Sequence, residues 1–538
     1  MDRTEKSIER VNRQQNTYNH VSHIGQPMMQ SQMPRRRVTW QQRLLGENVN
    51  RPLTLQQERT LPNWMVGASV GTFIIAFIAC SVTYGYVMPI QFASYSLLSL
   101  LLFFYGSRQM LLSWKHSKDR QFAKDLFIWA LGVRLIWVVF SYAFFNNFTY
   151  GKVDGYGDDN GWYMEFAKII AQWLRGDNKE PIGDLLNSYR IAIDDTGYPF
   201  WLAVLYILSF EASDVFVPFI VKAFLSAYSC LCIYRVARRH FGDGAARMAG
   251  IFMCLNPYVL FWCPSLLKET EMMFLCCVYV DKTDEALSSG KRLTFIGLLP
   301  GMLAASALFF FRAPLGVVTI LAILVHIVFA SRRVMNAGKK VLIGLMVGLV
   351  LMVGMGDRIR TQSETLLEQV RSGQQQSNME WRSKRVDEGG KTQSFAKYAG
   401  AAVFAPLIFT IPFPTFNMAN EAHVSQMQLS GANYIKNILS FFVVYVMIVL
   451  LLSGEWRKHV FILAYTLGYH LVLVMSNFAQ SGRFHMPVFP MILLFAAFGI
   501  QVAKTNTRIR KWFPIVLAVE VVVCLVWNWF KLAGRGMI

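Results

Sequence analysis

Long apolar runs recur along the chain from about residue 64 onward, and they constrain its fold more than any other feature. A helix that crosses a bilayer needs about 20 mostly apolar residues. These runs predict an all-α polytopic membrane protein with about 13 transmembrane helices and additional helices in its outer loops. The predicted spans are 64–88, 91–106, 127–147, 215–234, 248–262, 266–281, 293–311, 314–330, 341–356, 436–453, 459–475, 485–503 and 513–531.

The amino-acid composition agrees with this fold class. Hydrophobic residues make up 54% of the 538 residues, and charged residues only 16%. Soluble domains average roughly 45–50% apolar and about 25% charged residues. Because a surface that faces lipid needs little charge, the composition argues against a soluble enzyme, a disordered scaffold and a coiled coil. The eight cysteines lie in or beside the apolar runs, which argues against a disulfide framework.

The positive charge of the chain predicts its orientation. The net charge of +20 reflects 53 Lys and Arg against 33 Asp and Glu. Basic residues concentrate in the cytoplasmic loops of membrane proteins, and no nucleic-acid-binding motif is present, so we expect no nucleic-acid partner. The basic loops follow every second predicted span, which places the N-terminus in the cytoplasm. This parity requires that the short apolar segment 198–210 lies on the outer surface instead of crossing the membrane.

The spans and loops divide the chain into five regions. The first region, residues 1–62, lacks an apolar signal-peptide core and is predicted to be a disordered cytoplasmic arm. The second outer loop contains an apolar piece, 401–414, that is predicted to be re-entrant or interfacial. The regions are a basic arm at 1–62, an extra N-terminal hairpin and cytoplasmic loop at 63–125, a core at 126–356 with an acidic outer loop at 148–214, a second outer loop at 357–435, and C-terminal transmembrane helices at 436–538.

An acidic pair in the first outer loop is the strongest candidate for chemistry. Asp158 and Asp159 follow a glycine-rich stretch and are followed by Asn160. The glycines predict a tight turn, and apolar periodicity predicts a helix over 164–174. The carboxylates are candidate general bases. Alternatively, they serve only to cap the first turn of that helix.

Other charged residues are predicted to reach the same face. Lys268 and Glu269 lie in the hairpin between the fifth and sixth spans, while Arg312 and Arg483 lie at outer span ends and Lys222 in the outer half of the fourth span. Charged residues amid apolar sequence are costly and usually functional, and guanidinium groups suit phosphate. Alternatively, Lys268 and Glu269 only mark where the chain meets water, and the arginines only anchor the span ends at the membrane interface.

The order of several motifs resembles the GT-C superfamily of integral-membrane glycosyltransferases. The closest branch is that of protein mannosyltransferases and lipid A aminoarabinose transferases. Asp159 and Tyr163 match the family's Asp-to-Tyr spacing, although Asn160 replaces its second acidic residue. The remaining motifs are Gly197-Tyr198-Pro199-Phe200-Trp201, Tyr234-Arg235-Val-Ala-Arg238-Arg239, Asn256-Pro257, Ser265-Leu-Leu-Lys268-Glu269 and Gly482-Arg483-Phe-His485-Met-Pro487.

The resemblance implies inverting transfer of a sugar from a polyprenyl-phosphate donor on the outer side of a bacterial inner membrane. It implies that Asp159 or Asp158 acts as general base and that Glu269 is a further acidic site residue. The acceptor is a glycan, a lipid or a protein. Whether a divalent metal also binds at these carboxylates is left open. The implied substrate-binding residues are Lys268, Arg312, Arg483, Lys222, Tyr163 and His485.

Two other functions remain open from the sequence. A polysaccharide polymerase or ligase would use a diphosphate-linked oligosaccharide, and the long loop 357–435 is typical of such enzymes. A transporter or lipid flippase would need ionisable residues near the middle of the membrane. Arg134, in the third span, is the only clear mid-span charge that we identify, which gives the transporter hypothesis little support.

Overall fold

The structure, a computed structural model, describes residues 60–85, 88, 90–145, 157–189, 195–210, 215–288, 295–329, 408–416, 429–475 and 482–533. Within these ranges every regular element is a helix, so the all-α prediction is confirmed for them. The predicted span 341–356, most of the arm 1–62 and most of the loop 357–435 lie outside the described residues.

Five helices among the described residues are long and apolar enough to cross a membrane. Further apolar helices of 10–17 residues accompany them. The chain is thus built like a multi-pass membrane protein, whereas the number of thirteen spans stays a prediction. The five long helices are Asn63–Tyr84, Asp119–Ala143, Phe216–Leu255, Ser430–Ser453 and Ile509–Phe530.

Many of the described helices are joined by short connections, whereas 100 residues separate the end of α12 from the start of α13. Two π-helical segments, Leu102–Gly106 and Ser141–Phe145, continue α2 and α4. The helices are α1 (Asn63–Tyr84), α2 (Ile90–Leu101), α3 (Ser107–Ser113), α4 (Asp119–Phe140), α5 (Gly157–Arg175), α6 (Ile182–Ser188), α7 (Gly197–Leu208), α8 (Phe216–Leu255), α9 (Pro257–Phe261), α10 (Glu269–Ser288), α11 (Phe295–Phe311), α12 (Ala313–Phe329), α13 (Ser430–Ser453), α14 (Val460–Met475), α15 (Gly482–His485), α16 (Phe489–Thr505) and α17 (Thr507–Ala533).

Helix α8 reverses direction at Gly242, which has φ 79° and ψ 178°. A left-handed φ is inexpensive only for glycine. The two arms pack side by side: Arg134 of α4 donates to the Ser226 hydroxyl on the first arm and to the Met253 carbonyl on the second. The predicted fourth and fifth spans therefore correspond to the two arms of α8, helical segments 216–241 and 243–255 that are separated by the non-helical Gly242, and the predicted loop between them is reduced to a turn.

Ion pairs define two ends of the helical bundle. At one end, Glu271 of α10 lies 3.3 Å from Lys222 near the start of α8. At the other end, Asp281 of α10 pairs with Arg235 and Arg239 at 2.7 and 2.9 Å. Helix α10 consequently runs parallel to the first arm of α8. We call these the site end and the basic end.

The basic end neutralises many of its cations internally. Arg239 donates to Asp284 at 2.7 Å, and His240 contacts the other oxygen of the same carboxylate. Arg247 pairs with Asp243 at 2.9 Å and donates to the Trp114 carbonyl at 3.0 Å. The arginines that predict a cytoplasmic face thus lie together, although the orientation itself remains a prediction.

The interior of the bundle holds more charge than the sequence suggested. Arg134 is fully buried and donates to backbone carbonyls of α4 and of the second α8 arm. The expectation that Arg134 is the only clear mid-span charge is wrong, because Glu520, in the middle of α17, is also buried. Its carboxylate accepts from the Asn437 amide at 2.7 Å, a bond that the linear sequence does not reveal.

The apolar segment after residue 197 forms α7, which has 12 residues and is too short to span a bilayer. Tyr198 and Leu202 are buried against neighbours, and α7 packs on α5. Leu208 on the same helix remains 68% exposed. This one-sided apolar surface agrees with the predicted interfacial position. The described part of the second outer loop, residues 408–416, packs on α17 through a bond from the Phe416 amide to Asn528.

Substitution Gly499→Ala should loosen the contact between α16 and α13. A Cβ atom there would lie 2.4 Å from the Phe442 carbonyl oxygen, so the helices must separate. We expect a loss of about 1–3 kcal/mol of stability, measured by thermal unfolding in detergent. Gly71→Ala is the matched control, because a Cβ atom on α1 would meet nothing within 4 Å. Equal melting temperatures for both variants would contradict the packing.

Cysteine labelling should place the two bundle ends on opposite sides of the membrane. All eight native cysteines are buried and give a low background. We expect an impermeant maleimide to label Asp184→Cys, on α6 in the outer loop, in intact cells. Arg457→Cys, which is exposed between α13 and α14, should react only after permeabilisation. Labelling of both positions in intact cells would refute this orientation.

Candidate functional site

A cavity of about 540 Å³ opens at the site end. Its volume lies within the range of about 300–1,000 Å³ that is typical of small-molecule sites. Five separate stretches of the chain contribute to it: the start of α5, the residue before α7, the turn before α10, the α11–α12 junction and α15. The lining residues are Trp162, Tyr163, Asp195, Lys268, Arg312, Arg483 and Phe484.

Arg312 lies in this cavity without a matching carboxylate. It occupies the break between α11 and α12, where Pro314 lacks the backbone N–H that a continuous helix would use. The guanidinium stacks 4.4 Å from the centre of the Phe484 ring. Its Nη1 is buried without a hydrogen-bond partner, and no carboxylate of the described residues pairs with it. Arg312 as a whole is half-buried. A partly buried cation with no counter-charge among the described residues is costly, so the site favours an anion.

Lys268 is held by a carboxylate that the sequence analysis did not identify. Its ammonium donates to Asp195 and, at 2.8 Å, to the Phe311 carbonyl. The Tyr163 hydroxyl lies 3.3 Å from the same Asp195 carboxylate. Lys268 lies in the turn before α10, outside the membrane-spanning helices. Burial lowers the pKa of Lys268, and the Asp195 carboxylate opposes that shift.

The third cation, Arg483, is paired with Glu269. The Arg483 Nε atom lies 2.5 Å from the Glu269 carboxylate, and Glu269 is fully buried at the first position of α10. The other Glu269 oxygen, Oε2, is buried without a partner among the described residues. Three cations thus face two carboxylates, Asp195 and Glu269, and the described groups leave one positive charge uncompensated.

The acidic pair belongs to the first turn of α5. That helix begins at Gly157, seven residues before the predicted start of 164. The tight turn predicted at the preceding glycine-rich stretch lies mostly outside the described residues. Acidic residues in the first turn are stabilised by the helix dipole, which accounts for the earlier start. Asp158 and Asp159 lie one helical turn before Trp162 and Tyr163, which line the cavity. The side chains of the acidic pair lie outside the described part of the chain.

Lys222 lies beside the cavity but is not part of its lining. Its ammonium is fully buried, 3.3 Å from Glu271 and 2.6 Å from the Ser265 carbonyl, and it also donates to the Leu267 carbonyl. These contacts hold the hairpin that carries Lys268. The structure therefore gives Lys222 a bracing role, and its predicted contact with substrate stays a prediction.

His485 likewise lies behind the cavity wall. It is fully buried, and its Nδ1 lies 3.0 Å from the Nζ atom of Lys436, which also donates to the Ile411 carbonyl. These bonds attach α15, and with it Arg483, to α13. The sequence analysis missed Lys436 because it stands at the first position of a predicted span.

Asp195 was missed for a different reason. It stands in a loop that is acidic throughout, so one more carboxylate carries little information. The available signal was its position immediately before the Gly197-Tyr198-Pro199 motif that begins α7.

The part of the chain that the structure describes contains no group of three or more His, Cys, Asp or Glu residues arranged to hold a metal ion. Because the side chains of Asp158 and Asp159 lie outside that part, a divalent metal at the acidic pair stays an open prediction.

Comparison with protein-family models, curated proteins and solved structures found no match to the chain. The resemblance to membrane glycosyltransferases therefore rests on the residues of this chain alone.

The buried pair of Lys222 and Glu271 should show strong coupling in a double-mutant cycle. Lys222→Met leaves the Glu271 carboxylate buried and unpaired, which should cost roughly 3–5 kcal/mol. The double variant with Glu271→Gln should be less destabilised than the sum of the single variants, as measured by unfolding in detergent. The exposed pair of Lys282 and Glu285 is the control, where we expect coupling below about 1 kcal/mol. Additive effects at the buried pair would contradict the assignment.

Proposed function

We propose that the protein is a membrane glycosyltransferase that moves a sugar from a polyprenyl-phosphate donor to an acceptor hydroxyl. The observation that carries the proposal is the Arg312 guanidinium, which lies in the cavity, has no carboxylate partner in the described part of the chain, and is flanked by Lys268 and Arg483. Guanidinium and ammonium groups together bind phosphate oxygens well. Because the cavity opens among apolar helices, a phosphate attached to a lipid is the anion best suited to reach it.

The same cations would assist the chemistry. In the transfer, the acceptor oxygen attacks the anomeric carbon while the bond from that carbon to the phosphate oxygen breaks. Negative charge develops on the departing lipid phosphate, and preorganised cations stabilise it. A carboxylate takes the proton from the acceptor hydroxyl. Asp159 and Asp158 are the candidates, since both precede the cavity residues of α5 by one turn.

The charge balance favours one phosphate over two. The described groups at the cavity leave one positive charge uncompensated, from Lys268, Arg312 and Arg483 against Asp195 and Glu269. A sugar linked through a single phosphate is a diester with one negative charge, whereas a diphosphate-linked glycan carries two. Counted without Asp158 and Asp159, whose side chains lie outside the described part of the chain, this balance is the reason for preferring a single-phosphate donor to the diphosphate donor of a polymerase or ligase.

The membrane surface around the site suits a lipid substrate. Helix α7 leaves Leu208 exposed, and Phe210, just after it, is 92% exposed. Exposed apolar residues on an interfacial helix favour insertion into the head-group region. Within this proposal the site faces the periplasm of a bacterial inner membrane, and the acceptor is a glycan, a lipid or a protein.

Removal of the Arg312 charge should weaken donor binding without unfolding the protein. We expect Arg312→Leu to weaken binding of a polyprenyl-phosphate sugar by roughly 10–100-fold, since a charge-assisted hydrogen bond contributes about 1.5–3 kcal/mol. Arg312→Lys should retain part of the affinity. The measurement is transfer and binding by the purified protein in nanodiscs, with products identified by mass spectrometry. Arg175→Gln, an exposed arginine at the end of α5, is the control. Unchanged binding by Arg312→Leu would overturn the proposal.

Asp159→Asn and Asp158→Asn should separate catalysis from binding. Loss of a general base costs roughly 10²–10⁴-fold in rate, while donor affinity should change little, because an amide keeps the size of the side chain. Single-turnover transfer from bound donor measures this difference. Full activity in both single variants and in the double variant would rule out the general-base role of the pair.

A further inference from the structure

Asp195 joins two parts of the cavity that are distant in sequence. It lies in the acidic outer loop, two residues before the start of α7, and its side chain is 37% exposed at the cavity. One carboxylate oxygen accepts from the Lys268 ammonium, and the Tyr163 hydroxyl lies 3.3 Å from that same oxygen. The residue therefore bridges α5, which carries the acidic pair, and the hairpin that carries Lys268.

The Lys268 ammonium has three N–H donors. One donates to Asp195 and a second to the Phe311 carbonyl, which belongs to the residue before Arg312. The third N–H of Lys268 has no acceptor among the described residues and is available to donate to a ligand in the cavity. Two fixed bonds thus direct an otherwise flexible side chain, and they place its charge beside the Arg312 guanidinium.

We propose that Asp195 is a positioning residue that keeps the Lys268 ammonium charged and directed at the phosphate of the lipid substrate. Through the Tyr163 hydroxyl it also holds the first turns of α5 against the same cavity. This inference rests on the proposed function, because it requires that a phosphate binds at Lys268.

The charged groups around Lys268 determine how its protonation responds to the loss of Asp195. Asp195 and Glu269 favour the charged ammonium, whereas Arg312 and burial disfavour it. Without Asp195, burial and the Arg312 charge still disfavour the charged ammonium of Lys268. Mainly Glu269 then favours it, and Glu269 is itself paired with Arg483. The ammonium should therefore lose its proton at lower pH in an Asp195 variant.

The test measures binding of farnesyl monophosphate to the purified full-length protein in nanodiscs between about pH 7.5 and 10.5, a range in which the phosphate stays a dianion. Farnesol is the neutral control probe. We expect wild-type affinity to fall at alkaline pH as Lys268 deprotonates. Asp195→Asn should move this fall to lower pH by about 1–3 units, the usual effect of a nearby opposite charge. Asp184→Asn removes an exposed carboxylate from the same loop and should leave the profile unchanged.

Substitutions at Lys268 distinguish this role from a purely structural one. Lys268→Arg keeps its charge at every pH in the range, so binding by that variant should no longer fall at alkaline pH, even when combined with Asp195→Asn. Asp195→Glu should restore the wild-type profile. If Asp195→Asn does not fold, Lys268→Arg alone decides the matter, because an unchanged alkaline fall in that variant overturns the inference.

The outcomes also separate this inference from the proposed function. If the wild-type protein binds farnesyl monophosphate no better than farnesol, the proposed function fails and the role of Asp195 fails with it. If it prefers the phosphate but Asp195→Asn shows the wild-type pH profile, the proposed function stands and the positioning role is overturned.

Discussion

The register between α10 and the first arm of α8 is held by ion pairs at both ends, and the rest of the site depends on it. Lys222 pairs with Glu271 at the site end, and Arg239 pairs with Asp281 at the basic end. Charges buried among apolar helices are tolerated only when they are paired. A one-residue displacement would rotate each partner by about 100° around the helix. The pairs therefore select one alignment and place Lys268 and Glu269 at the mouth of the bundle.

The contacts of these two residues explain how the cavity forms. Lys268 reaches back to Asp195 before α7, and Glu269 binds Arg483 on α15. Each contact fixes the position of a cation but occupies only some of its N–H donors. Arg312 completes the group and stacks on Phe484, without a carboxylate among the described residues. Two paired cations and one without a counter-ion form a site that gains stability when an anion arrives.

Sequence analysis identified much of this group. Lys268, Arg312 and Arg483 stand out because a charge in apolar sequence is costly and usually serves a function, and Tyr163 was selected by its spacing from Asp159. All four line the cavity. Lys222 was selected by the same criterion, but its contacts are with Glu271 and the hairpin backbone. This criterion finds charged residues near a membrane boundary. It does not distinguish residues that line a cavity from residues that hold its wall in place. The criterion does not select Asp195, since its loop is already polar. It does apply to Glu520, which stands in an apolar run and was overlooked; only its amide partner Asn437, 83 positions away, could not be found along the sequence.

The sequence by itself determined the all-helical class, the positions of most apolar helices, the shortness of α7 and the clustering of basic loops. Hydropathy, helix length and charge are properties of contiguous residues, so they can be read along the chain. Tertiary structure alone decided which charges are paired, that the fourth and fifth spans pack side by side after a reversal at Gly242, and that Arg312 lacks a carboxylate partner among the described residues. These features depend on distances between residues up to 214 positions apart, such as Glu269 and Arg483, and only packing of the helices brings such residues into contact.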